Sequence, residues 1–443
     1  MSTTLDAQFA DLNERALPAS TATSRSVYVG QALLFAVVTV TTMDLVIADY
    51  ELGFSTDWQT LLRLALCGAC GIYGLFHNRQ SLGVLSHFPV IWLTLFGVWA
   101  LLTIPMGIAP LYSLASVASL ACVIVFVPAV LSVLGGRRVV YTVTIAMVSF
   151  VAVSWLLYFL VPKLGRSPFE MPDGSIIYRL GGDAQQLGFQ ATWGVGLLLI
   201  LGFSRIERWQ RLILPLALCG LTIPLTQSRT AMLACLAVVM VIVARQFSTR
   251  LLLSFACLVG VVGGLFLMAQ GGDLSIASAD RLAAKVSRSG KPDEIYNLTG
   301  RTEIWDNASR AIGDSPVLGW GYGAARQIMS SDKYARSTEF QTVHAHNLWL
   351  NITLCSGLIG LTLMAAMTLG LGYRALTQPN PIPDMILVFV LVAGITEPVL
   401  FGPMPRAHTV LWVLALCWRP MNATLEKPSP ALANPVSAFD PYD

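Results

Sequence analysis

The chemistry open to this chain rests on two histidines and a few arginines. His344-Ala345-His346-Asn347 closes a polar stretch, 271–347, that also holds Arg281, Lys285, Arg288, Lys291, Arg301, Arg310, Arg326, Lys333 and Arg336. An imidazole at the mouth of a helix exchanges a proton near neutral pH, so His346 reads as a general base. Asn347 is placed to orient it or to hydrogen-bond a substrate. His344 and His346 are two apart, not the helical spacing of a zinc pair, and no Cys or carboxylate adjoins them in sequence, so no metal site is expected. Arginine's permanently charged fork matches phosphate oxygens. Arg229, in Gln227-Ser228-Arg229-Thr230, and Arg406, after Gly402-Pro403-Met404-Pro405, lie between apolar runs, where a cation is costly unless solvated or paired. Arg229 reads as an anion site or as a side chain snorkelling to the interface. Arg179 precedes Leu180-Gly181-Gly182-Asp183 and then a helix whose N-terminus adds donors for an anion; a solvated loop arginine is the plainer reading. Glu397 reads as a carboxylate inside an apolar helix, paired with Arg406 or Arg229. The alternating glycines of Gly319-Trp320-Gly321-Tyr322-Gly323 suit a tight turn that displays its aromatics, for carbohydrate stacking or for anchoring at a membrane interface.

These residues need a scaffold, and the composition specifies its class. Of 443 residues 55% are hydrophobic and 12% charged, with mean hydropathy +0.65; soluble domains carry about a quarter charged residues. Apolar runs recur at about the 20 residues that a bilayer requires. The expectation is an all-α polytopic membrane protein with about 12 transmembrane helices, at 27–48, 59–77, 88–105, 111–134, 139–162, 187–204, 211–226, 230–245, 250–270, 346–373, 384–402 and 407–419. The seventh and eighth are short and closely joined, which suits a tight hairpin or a partly broken pair. Around them come an N-terminal tail (1–26), a large loop (271–345) and a C-terminal tail rich in Pro, Ala and Ser (420–443), which reads as disordered. The N-terminus lacks the pattern of a cleavable signal peptide. Lys and Arg concentrate in one set of loops, at Arg79, Arg137, Arg138, Arg205, Arg208, Arg211, Arg245, Arg250 and Arg374, whereas the opposite set opens with Asp49, Glu51 and Asp57. The basic set is expected in the cytoplasm together with both tails, and the large loop outside. Within that loop, Ile304, Trp305, Ala308 and Ile312 recur at helical spacing and give one apolar face. The eight cysteines all fall in apolar runs, so even Cys67-Gly68-Ala69-Cys70 reads as helix packing, not redox or zinc chemistry.

Ser228-Arg229-Thr230, Gly300-Arg301-Thr302-Glu303-Ile304-Trp305, Gly319-Trp320-Gly321-Tyr322-Gly323 and His346-Asn347 resemble, in that order, the O-antigen ligase and polysaccharide polymerase superfamily. The resemblance covers residues 175–400 by motif and the whole chain by layout. It implies a bacterial inner-membrane glycosyltransferase of the GT-C type. Its donor is a glycan on undecaprenyl diphosphate, and its acceptor hydroxyl belongs to lipid A–core or to a second lipid-linked glycan. Transfer takes place at the periplasmic face without a metal, cofactor or nucleotide sugar. Arg229 and Arg301 match the family's diphosphate-binding arginines, and His346 its catalytic histidine. Arg179 resembles a further arginine before a middle helix, but Ala184-Gln185-Gln186-Leu187-Gly188 replaces the Pro-Asn pair that many members carry there. Direct displacement with inversion at the anomeric carbon follows from that chemistry. The alternative is a transporter or flippase of the same lipid, expected to show inverted repeats and midplane charges. A protein oligosaccharyltransferase would carry a large C-terminal periplasmic domain that this chain lacks. Nothing in the sequence points to nucleic acid.

Overall fold

The computed structural model describes residues 24–42, 58–77, 82–170, 176–246, 301–334 and 342–424. The expected span 250–270, the cations Arg281, Lys285, Arg288, Lys291 and Arg336, Cys257, the acidic residues at 49–57 and residues 1–23 and 425–443 of the tails lie outside the described residues. The main helices are α1 (Ser24–Val40), α2 (Trp58–Phe76), α3 (Val90–Leu102), α4 (Pro110–Leu160), α5 (Ala184–Phe203), α6 (Trp209–Leu225), α7 (Arg229–Gln246), α8 (Arg301–Asp314), α9 (Leu348–Thr377), α10 (Pro381–Gly394) and α11 (Ala407–Thr424). Five of them, α2, α4, α5, α7 and α9, are long and apolar enough to cross a membrane, and α1, α3, α6, α10 and α11 are shorter apolar helices. The chain is a multi-pass helical membrane protein.

Three departures from the expected spans have local causes. The spans at 111–134 and 139–162 follow one another without a loop as α4, two helices that meet at a kink at Gly135 (φ 73, ψ 157). As a straight rod α4 would measure about 77 Å, far beyond a bilayer core, so the glycine divides it into two crossing lengths. The expected helix 384–402 stops at Gly394, and Glu397 stands in the loop that follows, not inside a helix. Pro398, Pro403 and Pro405 supply no backbone donors to continue it. The segment between α4 and α5 carries a feature absent from the all-α reading. Strands β1 (Arg166–Glu170) and β2 (Ile176–Leu180) pair antiparallel, with Ser167 opposite Arg179.

Small residues let the helices approach closely, the packing mode that works where lipid is as apolar as leucine. A Cβ on Gly71 would meet the Cys122 sulfur, and one on Gly74 the Val125 backbone, so α2 lies directly on the first half of α4. Cys67 and Cys70 are buried there as free thiols, and the other described cysteines are also free. Helix α5 is the central rod, and 83% of its apolar window is buried against α4, α6 and α7.

Helices α7 and α10 run antiparallel. At one end Arg245 Nε meets Asp384 Oδ2 at 2.8 Å, and at the other Thr230 Oγ1 meets Thr396 Oγ1 at 2.8 Å. The residues singled out for chemistry gather at the Thr230 end, about 24 Å from Arg245 along α7.

Two glycines fasten the extramembrane segment to the bundle. Helix α9 breaks at Gly357 (φ 65, ψ −170), which releases backbone carbonyls that cannot stay unpaired in an apolar setting. Trp320 N donates to Leu354 O, Gly321 N to Cys355 O (both 3.0 Å) and Trp99 Nε1 to Ser356 O (2.9 Å). Gly319 (φ 72) lies against the Gly357 backbone, where a side chain on either residue would collide with the other strand.

Candidate active site

Three residues from distant parts of the chain meet at the Thr230 end. Glu397 lies in the loop after α10 with its side chain only 7% exposed. Arg301 Nη2 donates to its Oε1 at 2.6 Å, and His346 Nδ1 lies 3.2 Å from both carboxylate oxygens. Arg301 and His346 are partners of Glu397 that the sequence, read for Arg406 or Arg229, did not name. The cause is tertiary: the last turn of α10 returns beside α8 and the 342–347 segment, which lie far from it in sequence. Burial pushes the Glu397 carboxyl up, but the hydrogen bond from His346 and the charge of Arg301 outweigh it, so the group sits below the ordinary carboxylate range.

A carboxylate can only accept, so the shared proton belongs on His346 Nδ1. That leaves the Nε2 lone pair turned away from Glu397, the state a general base requires. The backbone at His346 is held in the left-handed region (φ 46), a conformation that costs free energy and persists where surrounding bonds enforce it. Trp305 Nε1 donates to His346 O at 3.4 Å, and Arg301 lies one turn away on the same face of α8. Helix α8 thus positions both the arginine and the imidazole. Its buried face is Ile304, Asn307, Ala308 and Ala311, with Trp305 and Ile312 half-buried beside it, close to the stripe read from sequence.

The other candidates divide. Arg229 begins α7, Ser228 Oγ accepts from Ala231 N as a helix cap, and Thr230 is bonded to Thr396, the neighbour of Glu397. The successive residues 396 and 397 therefore link the Arg229 turn and the Arg301 helix. His344 packs edge-on to His346 with ring centroids 4.2 Å apart. Burial pushes it down to about 3, with the charge of Arg406 acting the same way and that of Glu397 opposing, so it is neutral at physiological pH. Arg406 precedes α11 close enough for its charge to reach His344. Arg179 lies on β2, bonded to Ser167 Oγ at 3.1 Å; burial lowers its pKa and Asp183 opposes that.

Asn347 does not face the site. Its Oδ1 caps α9 by accepting from Leu350 N at 2.9 Å, and its Nδ2 donates to Ile395 O at 2.9 Å. Trp320 and Tyr322 are not displayed for stacking. Tyr322 is buried edge-on to Phe96, and Trp320 donates to Ala311 O at 2.8 Å. Backbone bonding of the 316–321 segment to the broken helix turns both rings inward.

The sequence offered no carboxylate beside the histidines, but the fold supplies one. His344, His346 and Glu397 bring ligand-type atoms within 4.8 Å of one another. The Arg301 guanidinium already bonds that carboxylate, and its charge opposes a second cation at the same place.

The family model described as O-antigen ligase matches residues 214–365. The matched span contains Arg229, Arg301, His344 and His346 and ends before Glu397. Among curated proteins, the chain is 32% identical over 174 residues to an O-antigen ligase of Pseudomonas aeruginosa, covering 37% of this chain and 41% of that one. It is 28% identical over 343 residues to the exopolysaccharide production protein ExoQ of Rhizobium meliloti, covering 72% of each. The chain thus spans about two-fifths of the first relative's length in that alignment. Both likenesses fall within the ligase and polymerase superfamily that the motifs indicated.

Proposed function

We propose that this protein is a membrane glycosyltransferase that moves a glycan from undecaprenyl diphosphate to an acceptor hydroxyl at the periplasmic face of the bacterial inner membrane. The observation that supports this best is the Arg301–Glu397–His346 constellation, a base oriented by a buried carboxylate beside fixed positive charge. In the reaction, His346 Nε2 takes the proton from the acceptor hydroxyl as its oxygen attacks the anomeric carbon. The bond from that carbon to the phosphate oxygen breaks, and its electron pair leaves with the diphosphate. Arg229 and Arg301 stabilise the charge that develops there, the place where an enzyme gains rate. The configuration at the anomeric carbon inverts. No metal is required, because guanidinium groups supply the positive charge.

The acceptor is lipid A–core if the protein is a ligase, or a second lipid-linked glycan if it is a polymerase. The transport alternative places charge at the membrane midplane, whereas here Arg229, Arg301, His346 and Glu397 gather at one end of the bundle. Purified protein supplied with lipid-linked glycan and acceptor is expected to form product. His346→Ala and Arg301→Ala, each still inserted in membranes, are expected to lose that activity. Full activity in both would overturn the proposed site.

A further inference from the structure

A second polar constellation lies beside the first. His408, buried at the start of α11, is bonded through both ring nitrogens: Trp193 Nε1 lies 2.9 Å from Nδ1, and Gln186 Oε1 lies 3.0 Å from Nε2. Indole N–H is only a donor, so Nδ1 must be the unprotonated acceptor. Nε2 then carries the proton and donates to the Gln186 carbonyl. Stacking on Phe389 (centroids 5.5 Å, 28°) and edge contact with Phe189 fix the ring plane. The Gln186 amide therefore has one orientation, with its –NH2 turned away from His408.

Gln186 lines a cavity of about 240 Å³ between α1, the second half of α4 and the start of α5. Phe35, Phe150 and Leu157 form its apolar wall, and Ser154, Asp183 and Gln186 are among its polar groups. Val153, another lining residue, is 42% exposed on α4, beside the exposed Leu156 and Phe159, so the cavity adjoins an apolar outer surface of that helix. One turn along the same face of α5, Gln190 is buried and its Oε1 has no hydrogen-bond partner among the described residues, while its Nε2 donates to Thr42, also in the lining. Gly188, on the opposite face of α5, packs against Thr226 and Ala231, so Gln186 and the Arg229 turn lie toward the same end of the bundle.

We propose that this cavity holds a membrane lipid substrate at the junction of chain and head, and that Gln186 donates to an oxygen of its head group. The hydrocarbon lies against the apolar wall. His408 and Trp193 are positioning residues that keep the amide donor facing the ligand. The inference rests on the function proposed above for the substrate's identity. Donor and acceptor are both lipids with an oxygen-rich head, so the shared chemistry is a hydrogen-bond acceptor at the top of a hydrocarbon chain.

The test uses the full chain in lipid nanodiscs with Gln186→Leu and Trp193→Phe. The KM of each lipid substrate in transfer is measured, and also the rise in unfolding temperature caused by undecaprenyl diphosphate alone and by lipid A alone. Gln186→Leu is expected to raise KM for one lipid about tenfold, the loss of one net hydrogen bond, with kcat within about twofold. Trp193→Phe frees His408 Nδ1 to take the proton and the amide to flip, and is expected to raise the same KM by a smaller factor. The lipid whose KM and unfolding shift both respond is the occupant. Should Gln186→Leu fail to insert, Gln186→Glu keeps the shape and the bond from His408 but presents no N–H, and the same rise is expected. Unchanged KM and unchanged shifts for both lipids would sink the inference and leave glycan transfer standing. A wild-type protein that transfers nothing would sink the transfer reading, and the unfolding shifts would still decide the cavity.

Discussion

Glu397 is the residue on which the site turns. Its carboxylate fixes the His346 tautomer and carries the Arg301 guanidinium. Glu397→Gln keeps the shape but offers an amide that can bond either form of the ring. We expect kcat to fall by about 10²- to 10⁴-fold with little change in KM, the range for losing a correctly poised base. Steady-state transfer kinetics check this, and a fall in substrate affinity alone would count against it. His344 gives a pH prediction. Its folded pKa is about 3 against an ordinary 6.5, so the unfolded chain binds a proton first as pH drops. The stability that follows from keeping it neutral is present above about pH 6.5 and is lost as pH falls toward 3. The wild-type unfolding temperature should therefore drop between pH 7 and 4, and His344→Gln should drop less.

Among the elements, α8 and the segment before α9 present the atoms of the proposed site, and each is anchored by groups outside it. Asn347 caps α9 and bonds the Ile395 carbonyl one residue before Thr396, so it couples the His346 strand to the Glu397 loop. Asn347→Ala is expected to cost about 1 kcal/mol of stability, the usual worth of a cap, and to lower kcat by loosening His346. A thermal melt and a rate assay on the same sample read both. The crossing of Gly319 with Gly357 is less forgiving. An alanine at either position meets backbone, so the 316–323 segment must lift away from α9. Loss of fold in Gly357→Ala, seen by size-exclusion chromatography in detergent, is expected; normal elution would mean that the crossing tolerates a side chain.

For the whole molecule the decisive matter is sidedness. Arg245 pairs with Asp384 at one end of the bundle, and Arg229, Arg301, His346 and Glu397 gather at the other. With the basic end in the cytoplasm, Tyr178→Cys should react with a membrane-impermeant thiol reagent added to intact spheroplasts, and Arg208→Cys should not. The reverse pattern would place the site on the wrong face. Chelator-treated protein should transfer glycan at an unchanged rate, because arginine supplies the charge; restoration by a divalent ion would make the His344–His346–Glu397 trio a metal site instead. A ladder of repeats as product marks a polymerase, and a single glycan block on lipid A–core marks a ligase.

Membrane class, helical periodicity, the order of the motifs and the amphipathic stripe of α8 are local properties, written in runs of side chains that a bilayer or one helix face reads directly. The sequence by itself therefore determined that this is a helical membrane protein, and that Arg229, Arg301 and His346 were the residues to watch. It did not determine which groups would touch. The pairing of His346 with Glu397 and the Trp193–His408–Gln186 chain depend on contacts across 51 to 222 positions, and the inward turn of Tyr322 on its contact with Phe96. Those contacts exist only after helix breaks at Gly135 and Gly357 and the early stop of α10 have folded the chain back on itself. Buried polar groups must find partners wherever the backbone brings them, and only the tertiary structure decided where that was.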